Sequence, residues 1–245
     1  MCTVSFLPLN KTDFILTSSR DIPFSRKKAL HPKEYVEDGV KLWYPKDGKA
    51  GGSWIGTSSK KRLICLLNGG YVYHTSLANY KKSRGLIVKE LLKADDIRKG
   101  LNVVDLDGVE QFTLVIVDWN PDNYWDGLKL LEFVWDGEEK HLKEMPMAPQ
   151  IWSSSTLYDA DVKQMRVNWF KQWLRENEIS QESILKFHHT AGVGDPNIDI
   201  MMDRKKGGTV SITSIKKEKN NLGMVYEDVI DNKKTELLIE LGNSN

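Results

Sequence analysis

Apolar and polar residues alternate over residues 3–8, TVSFLP, which is typical of a β-strand with one buried face. The polar segment LNKTD follows as a turn, and the apolar stretch FILTSS after it predicts a returning strand. Antiparallel pairing across this turn places Cys2 opposite one of the residues 18–20. The pattern therefore predicts a hairpin that brings Arg20 and Asp21 beside the N-terminus.

Three segments carry apolar residues at the three- and four-residue spacing of an α-helix. The first covers residues 83–94, with Ser83 in position to cap it. The second covers residues 159–177, where Asp159 can cap the helix, and the sequence SQESILKFHH predicts a shorter third helix. The apolar stripe of the second helix consists of Val162, Met165, Trp169 and Trp173.

The other apolar segments predict strands. SWIGTS and RLICLLN form a second hairpin, and residues 111–119 and 128–137 lie on either side of a polar turn. Three further strands, TVSITSIKK, LGMVYEDVI and TELLIEL, end the chain. The basic and mostly polar residues 25–52 predict a loop that holds one short strand at most.

Strands joined by short turns favour antiparallel sheets over a βαβ series. Helices that interrupt several hairpins indicate an α+β fold, with two sheets packed face to face and helices outside. A chain of 245 residues suits one large domain or two small ones. The segment EMPMAPQ (144–150) is the best candidate linker, but it is more typical of an ordered loop. We therefore expect a single domain over residues 1–245.

Composition and charge narrow the class of protein. Hydrophobic residues make up 40% and charged residues 28%, which is typical of a folded chain. The 35 Lys and Arg balance 34 Asp and Glu, so the overall charge gives no attraction to nucleic acid or to anionic membranes. No apolar run is long enough for a transmembrane helix, and Pro8 interrupts the start, which argues against a secretory signal. We expect a reduced, cytoplasmic protein, with its oligomeric state left open.

Cys2 carries the clearest candidate chemistry. If Met1 is removed, the amine and the thiol of Cys2 sit on the same residue, and an α-amine titrates near neutral pH. An amine of this kind can activate its own thiol as a nucleophile, and a nearby Arg20 would favour the thiolate. Asp21 could orient the ammonium group or the substrate. The alternative is that Cys2 is a small apolar residue at a frayed terminus.

Other residues give weaker signals, and none indicates a metal or a cofactor. The five His and two Cys form no cluster with ligand spacing. His188 and His189 are adjacent in a predicted helix, so their side chains point about 100° apart and cannot share an i, i+4 metal site. Cys65 lies in an apolar strand and is typical of a buried residue. Trp54 follows two glycines and belongs either to the core or to the mouth of a pocket.

Several segments resemble a known family in the same order along the chain. MCTV followed by ILTSSRDIPFSR is similar to the start of the NRDE family, the transport and Golgi organisation relatives of the N-terminal nucleophile hydrolases. Those chains begin Met-Cys and carry an Asn-Arg-Asp-Glu stretch followed by Ser-Arg. Arg20 and Asp21 match this stretch, whereas Ser19 and Ile22 replace its Asn and Glu. With AGGSWIGTSSKKRLICLLNGG and SRGLIVKELL, the resemblance covers residues 1–95 with gaps.

Two later segments resemble the same family. PQIWSSSTLYDADVKQMR occupies the place of a Leu-Ser-Asn segment, so Ser154 stands where relatives carry asparagine. IMMDRKKGGTVSITSI resembles a late strand and places Arg204 at a basic position. The resemblance implies the four-layer αββα sandwich of the N-terminal nucleophile hydrolases.

The more distant choloylglycine hydrolase and penicillin V acylase relatives imply a mechanism. The Cys2 thiolate would attack an amide carbonyl, its amine would relay protons, and the acyl-enzyme would be hydrolysed. Arg20 and Asp21 would position the nucleophile, and Asn68 would donate a hydrogen bond to the developing oxyanion. Ser154 would replace a second oxyanion asparagine, with a shorter reach that weakens amidase activity.

Two functions follow from this resemblance. The first is an N-terminal cysteine hydrolase that cleaves a non-peptide C–N bond of a small-molecule amide. The second is a binding or trafficking protein that uses the same pocket for an apolar acid, such as haem or an acyl-CoA, with Cys2 as a ligand or an inactive remnant. Neither function involves nucleic acid or a membrane span, and the hydrolase needs no cofactor.

Overall fold

A computed structural model describes residues 3–77, 79–120 and 127–241 of the chain. Two compact units are found, one made of the residues up to Arg26 together with those from Ala148 onward, the other of Lys27–Met147. The chain therefore crosses between units within EMPMAPQ, the segment that the sequence marks as the best candidate linker. Among the described residues, no helix is long and apolar enough to span a lipid bilayer.

The described residues form fourteen strands and four helices. In chain order these are β1 (Thr3–Pro8), β2 (Phe14–Pro23), β3 (Leu30–Glu37), β4 (Val40–Lys46), β5 (Ile55–Ser58), β6 (Arg62–Asn68), α1 (Arg84–Lys93), α2 (Ile97–Val103), β7 (Phe112–Asp118), β8 (Lys129–Trp135), β9 (Lys140–Met145), β10 (Gln150–Ser153), α3 (Ala160–Glu176), α4 (Gln181–Thr190), β11 (Asp203–Arg204), β12 (Gly207–Glu218), β13 (Asn221–Asp228) and β14 (Lys233–Glu240).

The first unit contains one antiparallel sheet with the strand order β10-β1-β2-β12-β13-β14, and β11 pairs with β12. The predicted N-terminal hairpin is present, and its register pairs Thr3 with Ser19 and Pro8 with Phe14. Cys2, whose pairing the sequence pattern predicts, lies outside the described residues. On its other edge β1 pairs with β10, where Thr3 lies opposite Ser153.

The second unit contains the other antiparallel sheet, in which β3 to β9 lie side by side in chain order. The predicted hairpin of β5 and β6 and the predicted pair of β7 and β8 are both present. The expectation of a loop over residues 25–52 is wrong, because β3 and β4 form a hairpin there. Since β3 is an edge strand with a largely exposed surface, its sequence LHPKEYVE lacks the apolar character by which a strand is recognised.

The helices agree with the sequence pattern except in detail. Asp159 caps α3 as predicted, accepting a hydrogen bond from Val162 N, and α4 begins with a capping box at Ser180. Ser83 occupies the cap position of α1, but its side chain makes no capping hydrogen bond. The short helix α2 is an addition to the predicted elements, and Asp96 caps it.

The buried face of α3 differs from the predicted apolar stripe. Its buried residues are Arg166, Phe170 and Trp173, whereas Val162, Met165 and Trp169 are only half-buried. Phe170 and Trp173 join Leu7 and Ile15 of the sheet and Ile184 and Phe187 of α4 in one apolar cluster. The helices α3 and α4 thus cover the face of the first sheet that carries the odd-numbered residues of β1 and β2.

Candidate active site at the start of strand β1

The start of β1 lies between two chain segments that the sequence marks as functional. Thr3 is buried and pairs with Ser19 on β2 and with Ser153 on β10. Arg20 directly follows Ser19, and Ser154 directly follows Ser153. Two of the predicted site residues therefore flank the beginning of β1, although Cys2 itself lies outside the described residues.

Arg20 and Asp21 are both buried, at 4% and 3% exposure, but they lie on opposite faces of β2 because side chains alternate along a strand. Arg20 shares its face with Tyr226 on β13. Burial raises the pKa of Tyr226, and the positive charge of Arg20 acts in the opposite direction. Asp21 points to the face that α3 and α4 cover.

The carboxylate of Asp21 accepts two hydrogen bonds from hydroxyl groups. The Thr209 hydroxyl donates to Oδ1 at 2.6 Å, and the Tyr158 hydroxyl donates to Oδ2 at 3.3 Å. Thr209 lies opposite Asp21 on β12, just before a β-bulge that changes the register between Thr209 and Ser211. The bulge thus aligns Thr209 with Asp21 while Ser211 faces Arg20.

Tyr158 joins Asp21 to two arginines. The guanidinium of Arg166 lies 3.6 Å from the centre of the Tyr158 ring, and that of Arg204 lies 5.6 Å away. Arg204 also donates a hydrogen bond of 2.7 Å to the carbonyl of Asn197. The predicted basic position at Arg204 is therefore linked to Asp21 through one aromatic ring.

Arg166 holds the first residue of β1. Its side chain is fully buried, and Nη1 donates to the Thr3 hydroxyl at 2.6 Å. Its other donors bind main-chain oxygens, since Nε and Nη2 donate to Ile198 O at 3.0 and 2.9 Å and Nη2 donates to Asp199 O at 2.6 Å. These hydrogen bonds offset the free-energy cost of burying the charged guanidinium.

His188 of α4 contacts both β1 and β2 on the face of the sheet that the helices cover. It is fully buried, with Nε2 2.9 Å from the Ser5 hydroxyl and Nδ1 2.8 Å from the Ser19 hydroxyl. Burial, together with the positive charges of His189 and Arg166, lowers the pKa of His188 from 6.5 to about 3. A neutral ring has one donor and one acceptor nitrogen, so one serine accepts a hydrogen bond and the other donates one.

Ser154 is buried, at 1% exposure, and its hydroxyl lies 3.0 Å from that of Thr156. The segment that leaves β10 is thus rich in hydroxyl groups beside the start of β1. A serine side chain here is shorter than the asparagine that the family resemblance implies at this position.

The remaining predicted site residues belong to the second unit. Asn68 is half-buried at the end of β6, opposite Phe112 on β7. Trp54 is 4% exposed and directly precedes β5. Cys65 is buried in β6, as its apolar surroundings predict.

Sequence reasoning missed Arg166, His188, Tyr158 and Thr209. A signal was present in the strands, because hydroxyl residues such as Ser5 and Ser19 occupy positions on the buried face, and buried hydroxyl groups need partners. Which helix residues supply those partners depends on long-range packing that no local pattern encodes.

The described residues contain no group of three or more His, Cys, Asp and Glu side chains that could hold a metal ion. The two adjacent histidines of α4 point apart: His188 lies in the core, and Nε2 of His189 is 2.7 Å from a carboxylate oxygen of Glu227.

Solved structures of amide hydrolases have a similar backbone. The N-acylethanolamine-hydrolyzing acid amidase orthologue of Caenorhabditis elegans matches with a TM-score of 0.58 and 11% identity, over 87% of this chain and 92% of that one. Penicillin V acylase from Agrobacterium tumefaciens matches with a TM-score of 0.55 and 10% identity, over 98% and 86%. A variant of the conjugated bile acid hydrolase from Clostridium perfringens matches with a TM-score of 0.53 and 11% identity, over 100% and 94%.

These similarities confirm the predicted α+β fold of the N-terminal nucleophile hydrolases, and at such low identity they concern the fold alone. No curated protein matches the sequence at a significant level. The family model described as Transport and Golgi organisation 2 matches residues 1–229, which agrees with the resemblance of the N-terminal segments. This chain is therefore a member of the Transport and Golgi organisation 2 family.

Proposed function

We propose that this protein is an N-terminal cysteine hydrolase that cleaves a non-peptide amide bond through an acyl-enzyme on Cys2. The supporting observation is the pairing of Thr3 with both Ser19 and Ser153. Because Cys2 is bonded to Thr3, this pairing supports a nucleophile close to Arg20 and Ser154. The similar backbones of an acid amidase and of penicillin V acylase support amide hydrolysis as the reaction class.

In the proposed reaction, the free amine of Cys2 accepts the thiol proton and the sulfur attacks the carbonyl carbon of the amide. The amine then gives the proton to the leaving nitrogen, and water hydrolyses the thioester to a carboxylic acid. Arg20 would favour the thiolate because of its positive charge. Asp21, held by Tyr158 and Thr209, would fix the end of β2.

The oxyanion of the tetrahedral intermediate needs hydrogen-bond donors. We assign this role to Asn68, and a single donor of this kind contributes about 3 kcal/mol of transition-state stabilisation. Ser154 would be a weak second donor because its hydroxyl is short and lies beside that of Thr156. We therefore expect slow turnover compared with an enzyme that has two asparagines.

This weak second donor also favours the alternative of a binding protein for an apolar acid such as haem or an acyl-CoA. The binding protein needs neither a free amine nor an oxyanion donor. It would saturate with haem or an acyl-CoA. If Cys2 is an inactive remnant, Cys2→Ala would leave its affinity unchanged, whereas a Cys2 that is a ligand would make Cys2→Ala bind more weakly.

The test begins with the intact mass of the purified protein, because a fully retained Met1 blocks the free-amine mechanism. Iodoacetamide labelling across pH then measures the reactivity of Cys2, with Cys65→Ala as the matched control since Cys65 is buried in β6. We expect Cys2 to react as a thiolate below pH 8. A panel of N-acyl amides is then incubated with wild type, Cys2→Ala and Cys65→Ala. Equal turnover by wild type and Cys2→Ala would contradict the hydrolase.

A further inference from the structure

The outer edge of β14 is open within the described part of the chain, because β14 pairs with β13 and with no other described strand. The strand has eight residues, contains no proline and pairs with β13 without a register shift. Leu238 is 74% exposed, since it lies opposite Gly223, which has no side chain to cover it. A long, flat edge with an exposed apolar residue is a template for pairing with a further strand.

The other three edges of the two described sheets carry features that oppose such pairing. One edge strand, β10, has only four residues, and another, β3, contains Pro32 and a register shift between Leu30 and Lys33. The third, β9, has polar or charged side chains at four of its six positions, KHLKEM. Charged residues are also present in β14, but they leave the apolar run 237–239 between them. Of these edges, that of β14 is therefore the best suited to pairing.

The charges of β14 fit the same strand of a second copy of the chain. In an antiparallel pair, directly opposite residues share a face of the sheet, so a two-fold axis places one residue opposite itself. Two registers keep nearly all of β14 paired. The register centred on Glu236 places this carboxylate opposite its own copy, whereas the register centred on Leu237 places Lys234 opposite Glu240 on both sides of the axis. Opposite charges stabilise such a pair and like charges destabilise it, so the second register is favoured.

Glu240 gains most from this register. Lys234 already pairs with Glu236 of its own strand at 2.6 Å, whereas Glu240 has no ion-pair partner within the described residues. Pairing with a second copy would give the Glu240 carboxylate the ammonium of Lys234.

The apolar residues of β14 agree with the same register. Leu237 would lie opposite itself on the axis, and Ile239 would lie opposite Thr235 on the same face. Leu238 points to the other face, where it would lie diagonally across from Leu238 of the second copy, within the reach of long side chains. The pairing would thus cover a leucine that is 74% exposed in the single chain.

We propose that this protein forms a two-fold dimer in which β14 pairs antiparallel with β14 of a second copy, with Leu237 on the axis. The first sheets of the two copies would then form one continuous sheet. This inference is independent of the chemistry proposed for Cys2. Because an interface made by one strand of each copy is small, we expect a dissociation constant between about 1 and 100 μM.

The first test is sedimentation velocity at protein concentrations from about 1 to 500 μM, a range that spans the expected dissociation constant. Lys234→Glu and Glu240→Lys each place like charges opposite each other, so each variant alone should dimerise about 10-fold more weakly or worse. An equimolar mixture of the two variants should form a heterodimer, because each supplies the charge that the other lacks. Lys233→Glu is the matched control, since Lys233 would lie opposite the uncharged Leu241. It should dimerise like wild type.

The mixing experiment separates charge repulsion from misfolding, because two misfolded variants would not associate when they are combined. Wild type that stays monomeric at every concentration would overturn the proposal. A wild-type dimer that Glu240→Lys leaves unchanged would overturn it too, since the copies would then associate through another surface.

A cross-linking experiment tests the register directly. In a Cys2→Ala background, Leu237→Cys would place two thiols on the axis with their Cα atoms about 4.5–5.5 Å apart, a distance that a disulfide spans. Mild oxidation should therefore link the two chains. Thr235→Cys is the control on the same face, because its copy would lie four residues along the strand, about 13 Å away. Equal cross-linking by Thr235→Cys and Leu237→Cys would overturn the register centred on Leu237.

Discussion

His188 should make this protein sensitive to mild acid. In the folded chain its pKa is about 3, whereas the free imidazole titrates at 6.5. The unfolded chain therefore binds a proton as the pH falls below 6.5, while the folded chain does not. Stability from this residue is thus fully present above pH 6.5 and is lost progressively as the pH falls toward 3.

The size of the effect follows from the two pKa values. Between pH 7 and pH 5, the free energy of unfolding should fall by about 2 kcal/mol through His188 alone, since each pH unit below 6.5 costs about 1.4 kcal/mol. Most carboxylates titrate below pH 5, so they contribute little over this interval. Over the full range to pH 3 the loss would be about 4 kcal/mol, an appreciable share of the stability of a typical domain.

The assay is urea unfolding followed by tryptophan fluorescence at pH 7, 6 and 5, for wild type and His188→Gln. The variant should be less stable than wild type at pH 7, because Ser5 and Ser19 lose their shared partner. Its stability should then fall by about 2 kcal/mol less than that of wild type on going to pH 5. His189→Gln is the control, since it removes a solvent-exposed imidazole from the same helix.

Parallel curves for wild type and His188→Gln between pH 7 and pH 5 would refute this reasoning. They would mean that His188 takes up a proton in the folded state as readily as in the unfolded state. If His189→Gln reduced the pH dependence of stability as much as His188→Gln does, the reasoning would also be refuted, because the burial of His188 would then not be the cause.

Three further substitutions test the fold. Gly52→Ala should lower the free energy of unfolding by about 1–3 kcal/mol, because the added Cβ would lie 2.4 Å from the main-chain carbon of Gly85. A lower melting temperature would show this loss. Asp159→Ala should cost about 1 kcal/mol in urea unfolding through the loss of the α3 cap, and Asp159→Ser should retain most of it. Arg62→Met should cost about 3 kcal/mol or more in the same assay, because it leaves the fully buried carboxylate of Asp118 without its cation at 3.6 Å; adding Asp118→Asn should recover part of the loss.

Much of the fold follows from the sequence because its central strands are apolar. The strands β6 and β7 lie in the middle of their sheet, and nearly all of their residues are buried, so their runs of Leu, Ile and Val are easily recognised. The edge strand β3 has the opposite character and was predicted as a loop. Burial on one face alone leaves a sequence in which polar residues predominate.

Arg166 shows why the packing of α3 could not be predicted. Residue-type preferences assign arginine to the solvent, so the pattern places the buried stripe on the tryptophans instead. In the structure two main-chain oxygens and the Thr3 hydroxyl accept from the guanidinium, and these partners come from segments far apart in the sequence. The position of Arg20 beside the start of β1 was predictable, because the turn and the apolar pattern of the two strands set the register of a hairpin.

The connectivity of the first sheet has a consequence for folding during synthesis. The hairpin of β1 and β2 is made before Lys27–Met147, yet its neighbours β10 and β12 are made only after the whole of that segment. Such non-local pairing is slow, whereas Lys27–Met147 is continuous in sequence and has all its strand partners within itself. We expect nascent chains to acquire protease resistance over Lys27–Met147 first. The β1 edge of the hairpin would stay open to chaperones until β10 emerges, and the β2 edge until β12 emerges.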